Sequence, residues 1–169
     1  MNEQPITEDE ILTHIGVLLL NVQHFEFLLT AALKQIYAPA EDLTPEKIFA
    51  GEKRTLGMLM SELRKRTTLE HDADALLAAV LKDRNVFVHH LSQRIGFDIS
   101  SDIGRDRLWE FLGPFTLNLN RLIHLFVAIH IKHGDEIGFD SADVRQIKTD
   151  PGWKIDAYYP QAGKIRKKT

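Results

Sequence analysis

The 169-residue chain contains no cysteine. That absence excludes a disulfide framework, a thiolate nucleophile and any zinc site ligated by sulfur. No long uninterrupted apolar run is present either. The most apolar stretch, Ile15 to Leu20, gives way to Asn21, Gln23 and His24, well short of the roughly 20 residues a membrane-spanning helix needs. The N-terminus, Met1-Asn2-Glu3-Gln4-Pro5, is polar and acidic and has none of the features of a secretion signal. A cytoplasmic protein with no membrane partner is therefore expected. Missing too are a Gly-rich phosphate loop, a Ser-His-Asp arrangement and the Glu-x-x-His spacing of diiron bundles, so no cofactor and no metal are expected.

Positive charge is scarce in most of the chain. The formal net charge is -3, but Lys164, Arg166, Lys167 and Lys168 supply four cations at the end, which leaves residues 1 to 163 at -7. The body is acidic, and the basic tail reads as a solvated, mobile segment, with steering of RNA as the alternative.

Hydrophobic periodicity is plentiful by contrast. Thr7 with Glu10 forms a capping box, and a 3.6-residue period then predicts a first helix from about Glu8 to Tyr37. Its expected inward stripe is Ile15, Leu19, Val22, Leu29, Leu33 and Ile36, interrupted by Glu26. Thr44-Pro45 opens a short connector helix that Gly51 closes. A second helix runs from Thr55 to about Arg66, with Leu56, Leu59, Met60 and Leu63 inward. Asp72 is expected to cap a third helix that continues to about Leu91. A fourth, from about Arg105 to His133, carries Leu108, Leu112, Phe115, Leu119, Leu122, Phe126 and Ile129 in register, with a kink or a lost backbone bond expected at Pro114. Beyond it, a short helix from Ser141 to Lys148 and packing by Trp153-Lys154-Ile155 are expected. Ile-Gly-Phe-Asp occurs at both 95 to 98 and 137 to 140 and reads as shared loop chemistry. Four amphipathic helices without period-2 alternation predict an all-α, antiparallel four- to five-helix bundle over residues 1–140, followed by a C-terminal extension, 141–169, with its basic tail.

The third helix carries the chemistry. Its stripe of Leu77, Leu81, Val88 and Leu91 calls for a hydrophobe at position 84, where the chain has Arg84. An unpaired guanidinium in a core is costly, so Arg84 requires a carboxylate, a cleft or a bound anion. Glu26 breaks the stripe of the first helix with the opposite charge, and pairing the two removes the coincidence. The plain interpretation is an ion pair that fixes helix register. Asn85 and His89, four residues apart and beside Arg84, add an amide and an imidazole that a core does not need.

The segment Arg84-Asn85-Val86-Phe87-Val88-His89 resembles the active-site motif of the HEPN superfamily, in which an Arg and a His stand four to six residues apart and a polar residue commonly follows the Arg. The interior Glu of a long first helix and Thr55-Leu56-Gly57 at the start of the second are also similar to a bacterial branch of that superfamily. The resemblance implies metal-independent RNA cleavage by the 2'-hydroxyl, with His89 as general base or acid, Arg84 stabilising the phosphoryl transition state and Asn85 positioning phosphate or imidazole. It further implies a homodimer that brings two motifs to one cleft, 2',3'-cyclic phosphate ends, and a place as toxin or antiviral effector, with a protein inhibitor or antitoxin as a further partner. Some HEPN toxins carry a Tyr after the motif His. This chain has His90-Leu91-Ser92 instead, which departs from the subtype paired with a nucleotidyltransferase antitoxin and leaves His90 as a second proton carrier or an exposed helix-end residue. The alternative is a catalytically silent HEPN-like binding module with a structural Glu26–Arg84 pair.

Other signals are plainer. His130 and His133 share a face of the fourth helix, and these two, with His14, His24, His71 and His124, read as polar-face residues. Trp109, Trp153, Phe111, Phe115 and Phe126 have the spacing of core or interface packing.

Overall fold

The computed structural model describes residues 5–37, 55–94, 98–136 and 159–167. The expected helices at Thr44 and Ser141, the Trp153 segment and both Ile-Gly-Phe sequences lie outside the described residues. Within them the protein is mostly helical. Four helices, α1 (Glu8–Tyr37), α2 (Leu56–Arg66), α3 (His71–Asn85) and α4 (Asp102–Glu136), are joined by a two-stranded antiparallel sheet of β1 (Thr67–Leu69) and β2 (Ile165–Lys167). After Asn85 the third helix widens into a π-helical turn, Val86–His90, and then resumes as α-helix over Leu91–Arg94.

Local chemistry sets the helix starts. The Thr7 N–H donates to Glu10 Oε2 at 2.8 Å and the Glu10 N–H donates to Thr7 Oγ1 at 3.2 Å, the reciprocal capping the sequence predicts. Thr55 caps α2 by accepting from the Met58 N–H. At α3 the expectation fails: the cap position is Glu70, which makes no side-chain cap bond. Asp72 instead sits in the first turn, accepts from the Ala73 N–H at 2.9 Å and forms an ion pair with Lys164. α4 starts from a turn in which Asp98 accepts from the Ser100 N–H and the Ser101 hydroxyl, while Ser101 Oγ accepts from the Gly104 N–H. The helix continues unbroken through Pro114, an exposed position.

One apolar core unites the helices. Phe25 packs edge-on against Phe126 at 5.6 Å between ring centroids, and Phe87 against Phe115 at 5.8 Å. Leu56, Leu59, Met60 and Leu63 are buried as predicted, as are Leu108 through Phe126 of the α4 stripe. Each such side chain contributes about 1.5–3 kcal/mol of transfer free energy.

The direction of packing departs from expectation. The Arg105 Nε donates to the Ile6 carbonyl, His14 meets Thr116, Phe25 meets Phe126 and His130 Nε2 meets the Leu28 carbonyl. These contacts advance together along both chains, so α1 and α4 run parallel. α3 runs against α4, because Ala73 and Leu76 share a cavity with Arg121 and Leu125 while Phe87 reaches back to Phe115. Short connections force opposite directions only on consecutive helices. α1 and α4 are not consecutive, and nothing local fixes their relative sense.

Two further expectations are corrected. The end of the chain is anchored within 159–167: a 3-10 turn, Tyr159–Lys164, places Ala162 in the interior, and β2 pairs with β1 in the register Thr67↔Lys167, Leu69↔Ile165. Strands of three residues are too short to show alternation in a sequence, so the small sheet and the anchored tail were both invisible. The polar-face assignment also fails for His14, which is half-buried between α1 and α4 with Nε2 2.7 Å from Thr116 Oγ1. By length and composition, segments of α1 and α4 are apolar enough to cross a membrane. Much of that apolar surface is spent on packing the two helices together.

Candidate anion-binding site

Glu26 and Arg84 meet. Arg84 Nη2 donates to Glu26 Oε1 at 2.9 Å, with the two side chains 18% and 30% exposed for Arg84 and Glu26 respectively. The pair is thus partly shielded from water and open on one side. Arg84 Nη1 lies 3.3 Å from His89 Nε2 and donates to Asn85 Oδ1 at 3.4 Å. Glu26, Arg84, Asn85 and His89 therefore form one constellation, centred on the guanidinium. His90 stands outside it: its Nδ1 is 3.3 Å from Gln93 Oε1, and its ring centroid is 6.2 Å from that of His89.

The π turn is what brings Arg84 and His89 together. In an α-helix, five residues advance the side chain by about 500°, leaving the two roughly 140° apart around the axis. A π turn closes hydrogen bonds from i to i+5, so the fifth residue comes back above the first. Val86–His90 is that turn. It gives an Arg-x4-His spacing the proximity that a regular helix reserves for a spacing of three or four.

Two errors of register come from where the buried face is centred: in α3 it runs through Leu77 and Val80, one position before the predicted Leu81. Val88, expected inside, is 41% exposed, and Phe87 takes the buried position against Phe115. In α1 the buried stripe is Ile11, Leu18, Val22, Phe25, Leu29 and Leu33, and Leu19 is 44% exposed. Reading the stripe from Ile15 placed its centre one position off. Glu26 consequently lies at the edge of the buried face, which is how a carboxylate can serve Arg84 and still touch solvent.

The constellation offers guanidinium donors to an anion, although Glu26 balances the charge of Arg84. If Arg84 donates through Nη1, His89 Nε2 must offer its lone pair, which is the neutral imidazole carrying its proton on Nδ1. His89 as a residue is exposed to solvent. Arg84 Nε is buried and has no hydrogen-bond partner among the described residues. A guanidinium with spare donors beside an imidazole lone pair suits a phosphate with an adjacent hydroxyl.

Sequence reasoning missed Asp83, which precedes Arg84. It is half-buried, and burial pushes its carboxyl above the usual range, with the nearby Lys82 charge acting in the opposite direction. Among the described residues no group of three His, Cys, Asp or Glu side chains is placed to hold a metal ion. His130 is engaged with the Leu28 carbonyl. Two cavities lie away from the notch. One of about 300 Å³ lies between α3, α4 and the 3-10 turn, and one of about 410 Å³ beside His14 and Trp109. No protein-family model, curated protein or solved structure matches the chain.

Proposed function

We propose that the protein is a metal-independent RNA endonuclease of HEPN type, with Arg84, Asn85 and His89 as its catalytic residues. The observation that carries this reading is the 3.3 Å approach of Arg84 Nη1 to Nε2 of the exposed residue His89 across a π turn. A cation and a proton acceptor held side by side match the two demands of RNA self-cleavage. Once Arg84 Nη1 turns from the imidazole to the phosphate, His89 Nε2 takes the proton from the 2'-hydroxyl, and the 2'-oxygen forms a bond to the adjacent phosphorus. The bond from phosphorus to the 5'-oxygen breaks, and that oxygen takes a proton from a water molecule. The products are a 2',3'-cyclic phosphate and a 5'-hydroxyl. Arg84 counters the charge that builds on the non-bridging oxygens, for which its planar fork is suited, and Asn85 orients the phosphate.

In this reading the four helices form a bundle, with α1 and α4 parallel within it. The working unit is a homodimer in the cytoplasm. The exposed side chains Leu12, Leu19, Leu20 and Phe27 of α1 and Val88 of the π turn supply apolar surface for such contact. A toxin or antiviral effector acting on RNA, held in check by a protein inhibitor, fits the chemistry.

The second reading, a silent binding module, is favoured by the 2.9 Å Glu26–Arg84 pair taken alone. One experiment separates them: purified protein is incubated with total RNA in EDTA beside Arg84→Ala and His89→Ala. The nuclease reading expects cleavage in EDTA that both variants lose, while His89→Ala, being exposed, keeps a melting temperature close to wild type. Equal cleavage by all three proteins, or none by any, leaves the silent module.

A further inference from the structure

Arg84 is an underused cation. Of its five N–H donors, one makes a bond of ordinary length to an opposite charge, Nη2 to Glu26 Oε1 at 2.9 Å. Nη1 reaches Asn85 and His89 only at 3.4 and 3.3 Å, beyond the usual 2.7–3.2 Å range of about 2.9 Å bonds. Nε is buried without an acceptor among the described residues. Glu26, meanwhile, engages through a single oxygen and is exposed enough for its carboxylate to return to water.

We propose that Glu26 occupies the seat of the substrate phosphate: its carboxylate and an RNA phosphodiester are alternative partners of Arg84, and docking of RNA displaces Glu26. The inference rests on the ribonuclease reading of the notch and assigns its regulation. The exchange conserves charge, since a carboxylate and a phosphodiester each carry one negative charge at neutral pH. Keeping both would set two anions against one guanidinium in a partly desolvated site, where their repulsion is poorly screened. A phosphodiester has two non-bridging oxygens and can take the guanidinium fork two bonds at a time. Glu26, tethered to α1, holds it by one. The notch therefore discriminates: an anion must outdo the resident carboxylate to enter, and the affinity for RNA is set below what Arg84 alone would give. The Thr30 hydroxyl, which donates to the Glu26 carbonyl at 2.9 Å, ties down the backbone of that residue and leaves its side chain as the moving part.

The test uses a single-stranded RNA carrying 2'-O-methyl groups throughout, which binds and cannot be cut. Its affinity is measured by fluorescence anisotropy for the full-length wild type, Glu26→Gln, and Glu26→Gln combined with Arg84→Met. Glutamine keeps the shape and a hydrogen bond to Arg84 while removing the competing charge. The expected result is binding about tenfold tighter in Glu26→Gln, the scale of one charge-assisted bond, with the gain lost in the double variant. Equal or weaker binding by Glu26→Gln, or a gain that survives Arg84→Met, overturns the exchange and makes Glu26 a positioning residue. A second readout does not depend on RNA. Inorganic phosphate should raise the melting temperature of Glu26→Gln more than that of wild type, and equal rises overturn the exchange as well. Cutting of unmodified RNA is scored separately, so loss of the nuclease reading is seen without confusing it with the binding result.

Discussion

Replacing Arg84 by methionine keeps most of the side-chain volume and removes the charge. It leaves the Glu26 carboxylate without a cation among the described residues. Two unit charges about 4 Å apart attract by about 4 kcal/mol at an effective dielectric of about 20. Exposure reduces this: Glu26 is 30% exposed, water can return to it, and well-exposed pairs are worth less than about 1 kcal/mol. The net loss should therefore be about 1–2 kcal/mol. At about 2–4 °C per kcal/mol for a chain of this size, Arg84→Met should melt about 2–8 °C below wild type by circular dichroism. Adding Glu26→Gln removes the stranded charge and should recover at least half of that loss. A single variant within 1 °C of wild type, or a double variant no more stable than the single, refutes the pairing argument. Whatever stability the double variant regains, RNA cleavage should stay lost, because the guanidinium is gone.

The remaining predictions concern the frame around the notch. A Cβ at Gly104 would fall on the Asp98 backbone and disturb the turn that starts α4, so Gly104→Ala should cost about 1–3 kcal/mol as overpacking. An unchanged urea midpoint would show that the turn yields freely. Burial holds the His14 imidazole below its ordinary value of 6.5, so the unfolded chain binds the proton more readily. Its contribution is intact above pH 6.5 and is lost as pH falls from there through the depressed folded value. The stability of His14→Gln should respond less to pH in that window, and an identical pH profile for the two proteins would contradict the assignment.

Much of the fold was legible from local patterns. The Thr7–Glu10 box, the Thr55 cap and the inward leucines of α2 depend on residues close in sequence, and there the chain speaks for itself. The α4 stripe was read correctly because it is long and regular. Failures came where a run of neighbouring apolar residues left the centre of the buried face open, as at Leu18 and Leu19 in α1, and where a contact depended on distant chain. A π turn adds a residue to one turn of helix, and every position beyond it is rotated relative to an α-helical reading. Val88 and Phe87 were exchanged earlier than that, because the buried face of α3 already runs through Leu77 and Val80 in place of Leu81. The C-terminal strand failed differently: Ile165–Lys167 has meaning only beside Thr67–Leu69, about a hundred residues away in sequence.

The notch divides along the same line. The sequence by itself determined its membership: Arg84 and Glu26 stand out as charges interrupting apolar helices, with Asn85 and His89 alongside. Only the tertiary structure decided that the two charges meet at 2.9 Å and that they do so at the edge of the core. It also decided that His89 comes within 3.3 Å of the guanidinium. The reason is physical. Charge and polarity are properties of single residues and survive any folding, whereas distance depends on the widening of one helical turn and on which face of α1 the core selects.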